Sequence, residues 1–213
     1  MKDGKLYGMD ISPLVEKVTK LRQVKKRPII FITGLSGSGK TTLAQEVTKA
    51  VSGVQVSFDW WLLQDSPARR EKIMADYHAT GLPPNPLEWF DWASFAKQLT
   101  VLQATGKLSL QNAWDQNSGE KKLRVALSIP EQCPIVVEGV YLFEPTVRHL
   151  ADVTVLIESD INKSTLAALR RQAHRNPGEY LKVKELWYTQ FDGPYFSTHR
   201  KDADIIFKGW AAQ

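Results

Sequence analysis

A chain of 213 residues, 43% apolar and 24% charged, is long enough for one folded domain with a full core and too apolar for intrinsic disorder. Its single cysteine, Cys133, excludes an internal disulfide framework and a cysteine-rich zinc site, and favours a reducing cytoplasm. The formal net charge of +5 is spread along the sequence, with no apolar run of membrane-spanning length and no signal-peptide core, so neither nucleic acid nor membrane is expected as a partner.

In chain order, Ser12-Pro13 reads as an N-cap followed by proline at the first helical position. Leu14, Val15, Val18 and Leu21 then supply an apolar stripe, which predicts an amphipathic helix over 12–26. Lys25-Lys26-Arg27 reads as its solvated, basic end. Pro28 to Thr33 is a short apolar, β-branched run of the kind a buried strand requires.

Gly34-Leu-Ser-Gly-Ser-Gly-Lys40-Thr41-Thr42 follows at once and fits the phosphate-binding pattern G-x-x-x-x-G-K-[ST]. Glycines let the backbone turn its N–H groups around an anion, and a following helix N-terminus adds partial positive charge. That helix is expected, because Leu43, Ala44, Val47, Ala50 and Val51 share one face. Gly34, Ser36, Gly37, Ser38, Gly39, Lys40, Thr41 and Thr42 are therefore the candidate nucleotide-binding residues. Lys40 would reach the β/γ-phosphates and the Thr41 hydroxyl would ligate Mg²⁺.

The run 54–58 predicts a second strand ending on Asp59, where a carboxylate can take the proton of an attacking hydroxyl or help hold Mg²⁺. Residues 66–80 are polar and helical in pattern, and Leu82-Pro-Pro-Asn-Pro86 must be an extended turn. Asp91 can cap a helix on which Trp92, Phe95, Ala96, Leu99 and Leu102 share a face, whereas 106–128 reads as irregular with short β-like pieces. This stretch of 60–130, rich in Trp and Pro, is a natural acceptor-binding insertion; Trp60 and Trp114 are candidates for stacking on a substrate.

A third strand, 134–138, ends on Glu138, a Walker-B-like position for metal binding; strands at 153–158 and 203–207 follow. Between the last two, Lys163, Arg170 and His174 share one helix face, with Leu166, Leu169 and Ala173 a quarter-turn away. Such a basic stripe over 160–176 can close on polyphosphate as a lid, with Arg170 and Arg171 neutralising transition-state charge. His78, His149 and His199 show no metal-ligand spacing. Nor does the chain carry the guanine-reading Asn-Lys-x-Asp of a nucleotide switch; Asn162-Lys-Ser-Thr165 lacks the acid.

Taken in order, these motifs resemble the uridine kinase and phosphoribulokinase-like group of small-molecule P-loop kinases, along most of 28–208. The resemblance rests on Gly34 to Thr41, Val56-Ser-Phe-Asp59, Asn85 to Phe95, Ile135-Val-Val-Glu-Gly-Val140, Arg170-Arg171 and Lys201 to Ile206. It implies an α/β P-loop NTPase sandwich of three layers with a five-stranded parallel sheet, an acceptor-binding insertion and a helical lid, all in one domain. It also implies MgATP as donor and a small-molecule hydroxyl acceptor, a nucleoside first, with Asp59 as base and Asp91 on a sugar hydroxyl. A homo-oligomer stays open. The chain departs from the family at Trp60-Trp61, where Ser and an aromatic usually stand. It departs again at Ala113 to Ser118, which lacks the His and Arg that read a pyrimidine in uridine kinases, so a changed acceptor is open.

Overall fold

The expected apolar runs pair into one all-parallel sheet. A computed structural model describes residues 10–172 and 178–209. The chain begins with helix α1 (Ser12–Arg22), followed by strand β1 (Ile29–Gly34), helix α2 (Lys40–Ala50) and strand β2 (Val54–Ser57). Helices α3 (Ser66–Thr80) and α4 (Trp92–Thr105) come next, then hairpin strands β3 (Lys107–Trp114) and β4 (Lys121–Ser128). Strand β5 (Ile135–Glu138), the short helix α5 (Pro145–Arg148) and strand β6 (Val153–Glu158) return the chain to the sheet. Helices α6 (Ile161–Gln172), α7 (Glu179–Trp187) and α8 (Gly193–Thr198) precede strand β7 (Ile205–Lys208).

The sheet order is β2-β5-β1-β6-β7. Strand β1 is central and buried at all six positions, which is why it reads as continuous rather than alternating hydrophobicity. Its side chains divide between two cores. Ile30 and Ile32 meet Leu14 and Val18 of α1 and Leu43 and Val47 of α2; Ile29 and Phe31 meet Phe58, Phe95, Leu99 and Leu102. Helices thus cover both faces, the α/β P-loop NTPase arrangement. Within 60–130, the expected acceptor-binding insertion, α4 packs on the sheet, with Phe95 6.2 Å from Phe31, ring to ring.

Three local expectations are corrected. Helix α1 starts at Ser12 but ends at Arg22, four residues short of the expected end, and Ile11 rather than Ser12 takes the cap position; Asp10 Oδ1 accepts the Ser12 N–H at 2.9 Å. Lys25-Lys26-Arg27 is therefore not a helix end. Lys25 pairs with Asp152 and Lys26 with Glu131, while Arg27 is buried and donates to the Gln103, Ala104 and Pro130 carbonyls. A guanidinium there meets the orphan carbonyls and negative dipole end of α4.

The third correction concerns 106–128, which forms a regular antiparallel hairpin, Lys107 opposite Ser128 through to Trp114 opposite Lys121. Its alternation is interrupted by a bulge at Gln111-Asn112, where Asn112 takes φ +58°. One extra residue shifts the buried set from Leu108 and Leu110 to Ala113, so period-two reading fails across it.

Candidate active site

The carboxyl ends of β1, β2 and β5 meet at one edge of the sheet, and the loop 34–39 opens there onto the N-terminus of α2. Gly37 has φ +84°, and a Cβ on it would lie 2.5 Å from the Ser164 carbonyl oxygen of α6. Both the left-handed backbone and that close approach require glycine. Lys40 Nζ donates to the Gly34 and Leu35 carbonyls, each at 2.9 Å, which folds its ammonium across the loop.

Opposite the loop stand two carboxylates. Register places Ser57 beside Glu138, so Asp59, in the turn after β2, and Glu138, last in β5, come together. Thr41 Oγ1 donates to Glu138 Oε2 at 3.3 Å. Burial raises the pKa of Glu138 above the ordinary carboxylate range, as does the charge of Asp59; Lys40 and the hydroxyls of Ser57 and Thr41 oppose the rise. Two neighbouring carboxylates beside a hydroxyl form a hard-oxygen set, and that fits Mg²⁺.

Gly139 follows Glu138, and a Cβ on it would sit 2.5 Å from Phe58 Cβ. The missing side chain lets Phe58 pack against the end of β5, and Phe58 carries Asp59 with it. Gly139→Ala is expected to cost about 1–3 kcal/mol of stability by overpacking, read as a lower denaturant midpoint, with turnover falling as Asp59 is displaced.

Two cavities adjoin here. The larger, about 380 Å³, is lined by Gly37, Gly39, Lys40, Thr41, Glu138 and Ala167, among others. The smaller, about 160 Å³, runs between Arg69 of α3, Trp89, Trp114 of β3, Tyr141, and Lys184 and Trp187 of α7. Ser36, Asp59 and Val140 line both. Asp59 thus stands where the space beside the glycine loop opens into a second space walled by aromatic rings.

Among the other expected site residues, Trp114 lines the small cavity, with the Arg69 guanidinium 5.4 Å from its ring centre. Trp60 lines neither; its ring is half-buried, 6.0 Å from that of Trp61. Asp91 serves as the α4 cap, its Oδ1 accepting the Ser94 N–H at 2.9 Å, and it too lines neither cavity. Arg170 is exposed on α6 and does not line the phosphate space, whereas Ala167 does. The Arg171 side chain, with His174 and Arg175, lies outside the described residues.

The apolar stripe expected on α6 is also corrected. Leu166 is exposed, and Ser164, Thr165 and Ala168 are buried instead. Small side chains are what permit this helix to approach the Gly37 backbone. Sequence reading missed Arg69, Tyr141, Lys184 and Trp187 altogether. Arg69 lay in a helix read only as polar, and α7 is brought to the site from far along the chain by tertiary packing.

Comparison with known proteins agrees with this fold. A family model described as the NB-ARC domain matches residues 11–79, the segment holding the phosphate loop and Asp59. A uridine kinase of Ureaplasma parvum serovar 3 is 26% identical over 195 residues, covering 84% of this chain and 87% of that protein. Two solved structures share the fold. A possible uridine kinase from Bacillus stearothermophilus has a TM-score of 0.57 at 20% identity, covering 92% of this chain and all of that one. Phosphoribulokinase from Rhodobacter spheroides has 0.61 at 16%, covering 86% of this chain and 70% of that one.

Fold, phosphate loop and relatives together define an ATP-dependent small-molecule kinase of the P-loop class. Within that class the chain resembles the uridine kinase and phosphoribulokinase-like kinases.

Proposed function

We propose that this protein transfers the terminal phosphoryl group of ATP to a hydroxyl of a small metabolite, with Asp59 as the general base. The observation that carries the reading is the position of Asp59 on the seam between the two cavities. The main-chain amides of 34–39, the N-terminus of α2 and Lys40 hold the polyphosphate in the larger space. Asp59 takes the proton from the acceptor hydroxyl entering through the smaller one. The alcohol oxygen then bonds to the γ-phosphorus as the bond from that phosphorus to the β,γ-bridging oxygen breaks, which leaves ADP. Little covalent chemistry is asked of the protein; positioning and charge neutralisation supply the rate.

Thr41, Glu138 and Asp59 are the residues that would hold Mg²⁺, directly or through its water shell. When bound, the ion neutralises phosphate charge. Segment 160–176 would close over the phosphates, with Arg170 and Arg171 as its cations, and 60–130 would supply most of the acceptor wall, Trp114 included. For Asp91 and Trp60 the geometry supports positioning: one fixes α4, the other packs beside Trp61. A reducing cytoplasm suits the lone, buried Cys133, and among the described residues no helix is long and apolar enough to cross a membrane.

The names of the sequence relatives make a nucleoside the first acceptor to test. The experiment is an acceptor screen with coupled detection of ADP, covering nucleosides, nicotinamide riboside, pantothenate and sugars. At least one hydroxylated acceptor is expected to raise ADP release well above the rate with ATP alone. A flat response to every acceptor, with ATP bound, would reduce the protein to a nucleotide-binding regulator.

A further inference from the structure

The small cavity beside Asp59 contains more positive charge than a neutral acceptor would need. Arg69 and Lys184 both line it, and neither forms an ion pair with a described carboxylate. The contacts of the Arg69 guanidinium are long hydrogen bonds to the Gln64 carbonyl, 3.5 Å, and Ser66 Oγ, 3.4 Å, besides the Trp114 face. Lys184 Nζ lies 4.5 Å from the Trp187 ring centre, 5.7 Å from that of Tyr180 and 5.8 Å from that of Tyr188.

Both side chains are half-buried, and a partly desolvated cation is costly unless paired; ring faces compensate only part of the lost hydration. The acid that could have paired with Lys184 is engaged elsewhere. Asp192 is buried and accepts the Tyr141 hydroxyl; burial lifts its pKa to about 6, so near neutrality it is mostly ionised and attracts Lys184 without forming an ion pair with it. Burial and the neighbouring Arg69 charge pull Lys184 down to about 7, despite the opposing attraction of Asp192 and Asp59. Burial likewise lowers Arg69. Asp59 attracts both cations across the cavity, yet neither is ion-paired, so an anionic group placed between Arg69 and Lys184 would stabilise the charge of each.

The aromatic wall adds donors. The indole N–H groups of Trp89, Trp114 and Trp187, three residues lining this cavity, are buried without a hydrogen-bond partner among the described residues. Indole nitrogen can only donate. These groups have almost no accessible surface, so a ligand oxygen reaches them only if the rings shift.

We infer that the acceptor carries a negatively charged group, a carboxylate or a phosphate, which Arg69 and Lys184 clamp while its hydroxyl lies against Asp59. The acceptor class is therefore a hydroxy acid or a sugar phosphate, which sets this chain apart from kinases of an uncharged nucleoside. The inference rests on the kinase reading and makes it specific. A bidentate guanidinium suits either anion, and the ammonium adds a point charge from the other wall.

Matched pairs of compounds test it: pantothenate against pantothenol, ribose 5-phosphate against ribose, and uridine alone. Each is titrated into the full chain with a nucleotide present, with tryptophan fluorescence reporting binding, since three tryptophans line the cavity. ADP release is measured in parallel. The charged member of at least one pair is expected to bind at least 10-fold more tightly than its neutral partner, and the responding pair tells carboxylate from phosphate. Lys184→Met and Arg69→Met should each weaken that binding by about 10- to 100-fold, the range for a hydrogen bond to a charged group. Lys184→Arg should restore most of it.

Uridine binding more tightly than every charged compound would overturn the inference, as would no preference for charge within either pair. Both comparisons use the unmodified protein, so they hold even if a variant fails to fold. Charged compounds that bind selectively without ADP release would uphold the anion site and sink the kinase reading instead.

Discussion

Asp59→Asn is expected to lower kcat by about 10²- to 10⁴-fold, the usual contribution of a positioned general base. The amide matches the carboxylate in shape, so the turn Phe58–Trp61 and the packing of Phe58 beneath it should persist. What is lost is the capacity to accept a proton from a hydroxyl in the smaller cavity. Nucleotide affinity should change little, because the phosphate-binding amides and Lys40 belong to the loop and to α2. Steady-state turnover with saturating acceptor, set beside an equilibrium titration of nucleotide, separates the two effects. Unchanged turnover would remove Asp59 from the proton transfer and leave it a role near the metal alone. The pKa of Glu138 offers a second readout: in the variant, one of the charges that raises it is gone, so Glu138 should titrate lower.

Lys40→Met should have the other large effect, and of a different kind. Its ammonium bonds to two carbonyls of the loop, and it is the cation that the loop itself contributes to the larger cavity. Removing a charge donor aimed at developing negative charge typically costs about 10²–10³ in rate. Here nucleotide binding should weaken as well, because Lys40 meets phosphate in the ground state. Thermal unfolding gives the cleanest measure. Nucleotide at one hundred times its dissociation constant stabilises a protein by about 2.7 kcal/mol. That protection should be present in the unmodified protein and largely absent from the variant at the same concentration. Retained protection would mean that main-chain amides alone hold the phosphates. With Asp59→Asn the expectation is the reverse, full protection without turnover, so the two substitutions separate binding from chemistry.

Much of this was legible from local sequence because the features concerned are local. A glycine loop between a buried strand and a helix occupies consecutive residues, and its geometry follows from backbone sterics and one helix dipole. The five strands were readable because a parallel sheet covered on both faces demands unbroken apolar runs. Asp59 and Glu138 were found because strand carboxyl ends point into one crevice. The errors arose where a long-range partner overrode a local pattern. Arg27 was read as a solvated helix end but is drawn inward by carbonyls of α4. Leu166 was placed on a buried stripe but is exposed, because α6 presents its small residues to Gly37. In the hairpin, one bulge at Gln111-Asn112 was enough to hide eight-residue strands.

The sequence by itself thus determined the phosphate loop, the class of sheet and the two acids facing the loop. It also raised, without resolving, the prospect of an altered acceptor at Trp60-Trp61 and 113–118. The tertiary structure alone decided what the smaller cavity is made of. Arg69 and Lys184 stand 115 positions apart on α3 and α7, and no spacing rule links them. They become neighbours only because the two helices pack against each other. Their meaning lies in a balance of desolvation and unpaired charge, which exists only once water has been excluded from between them.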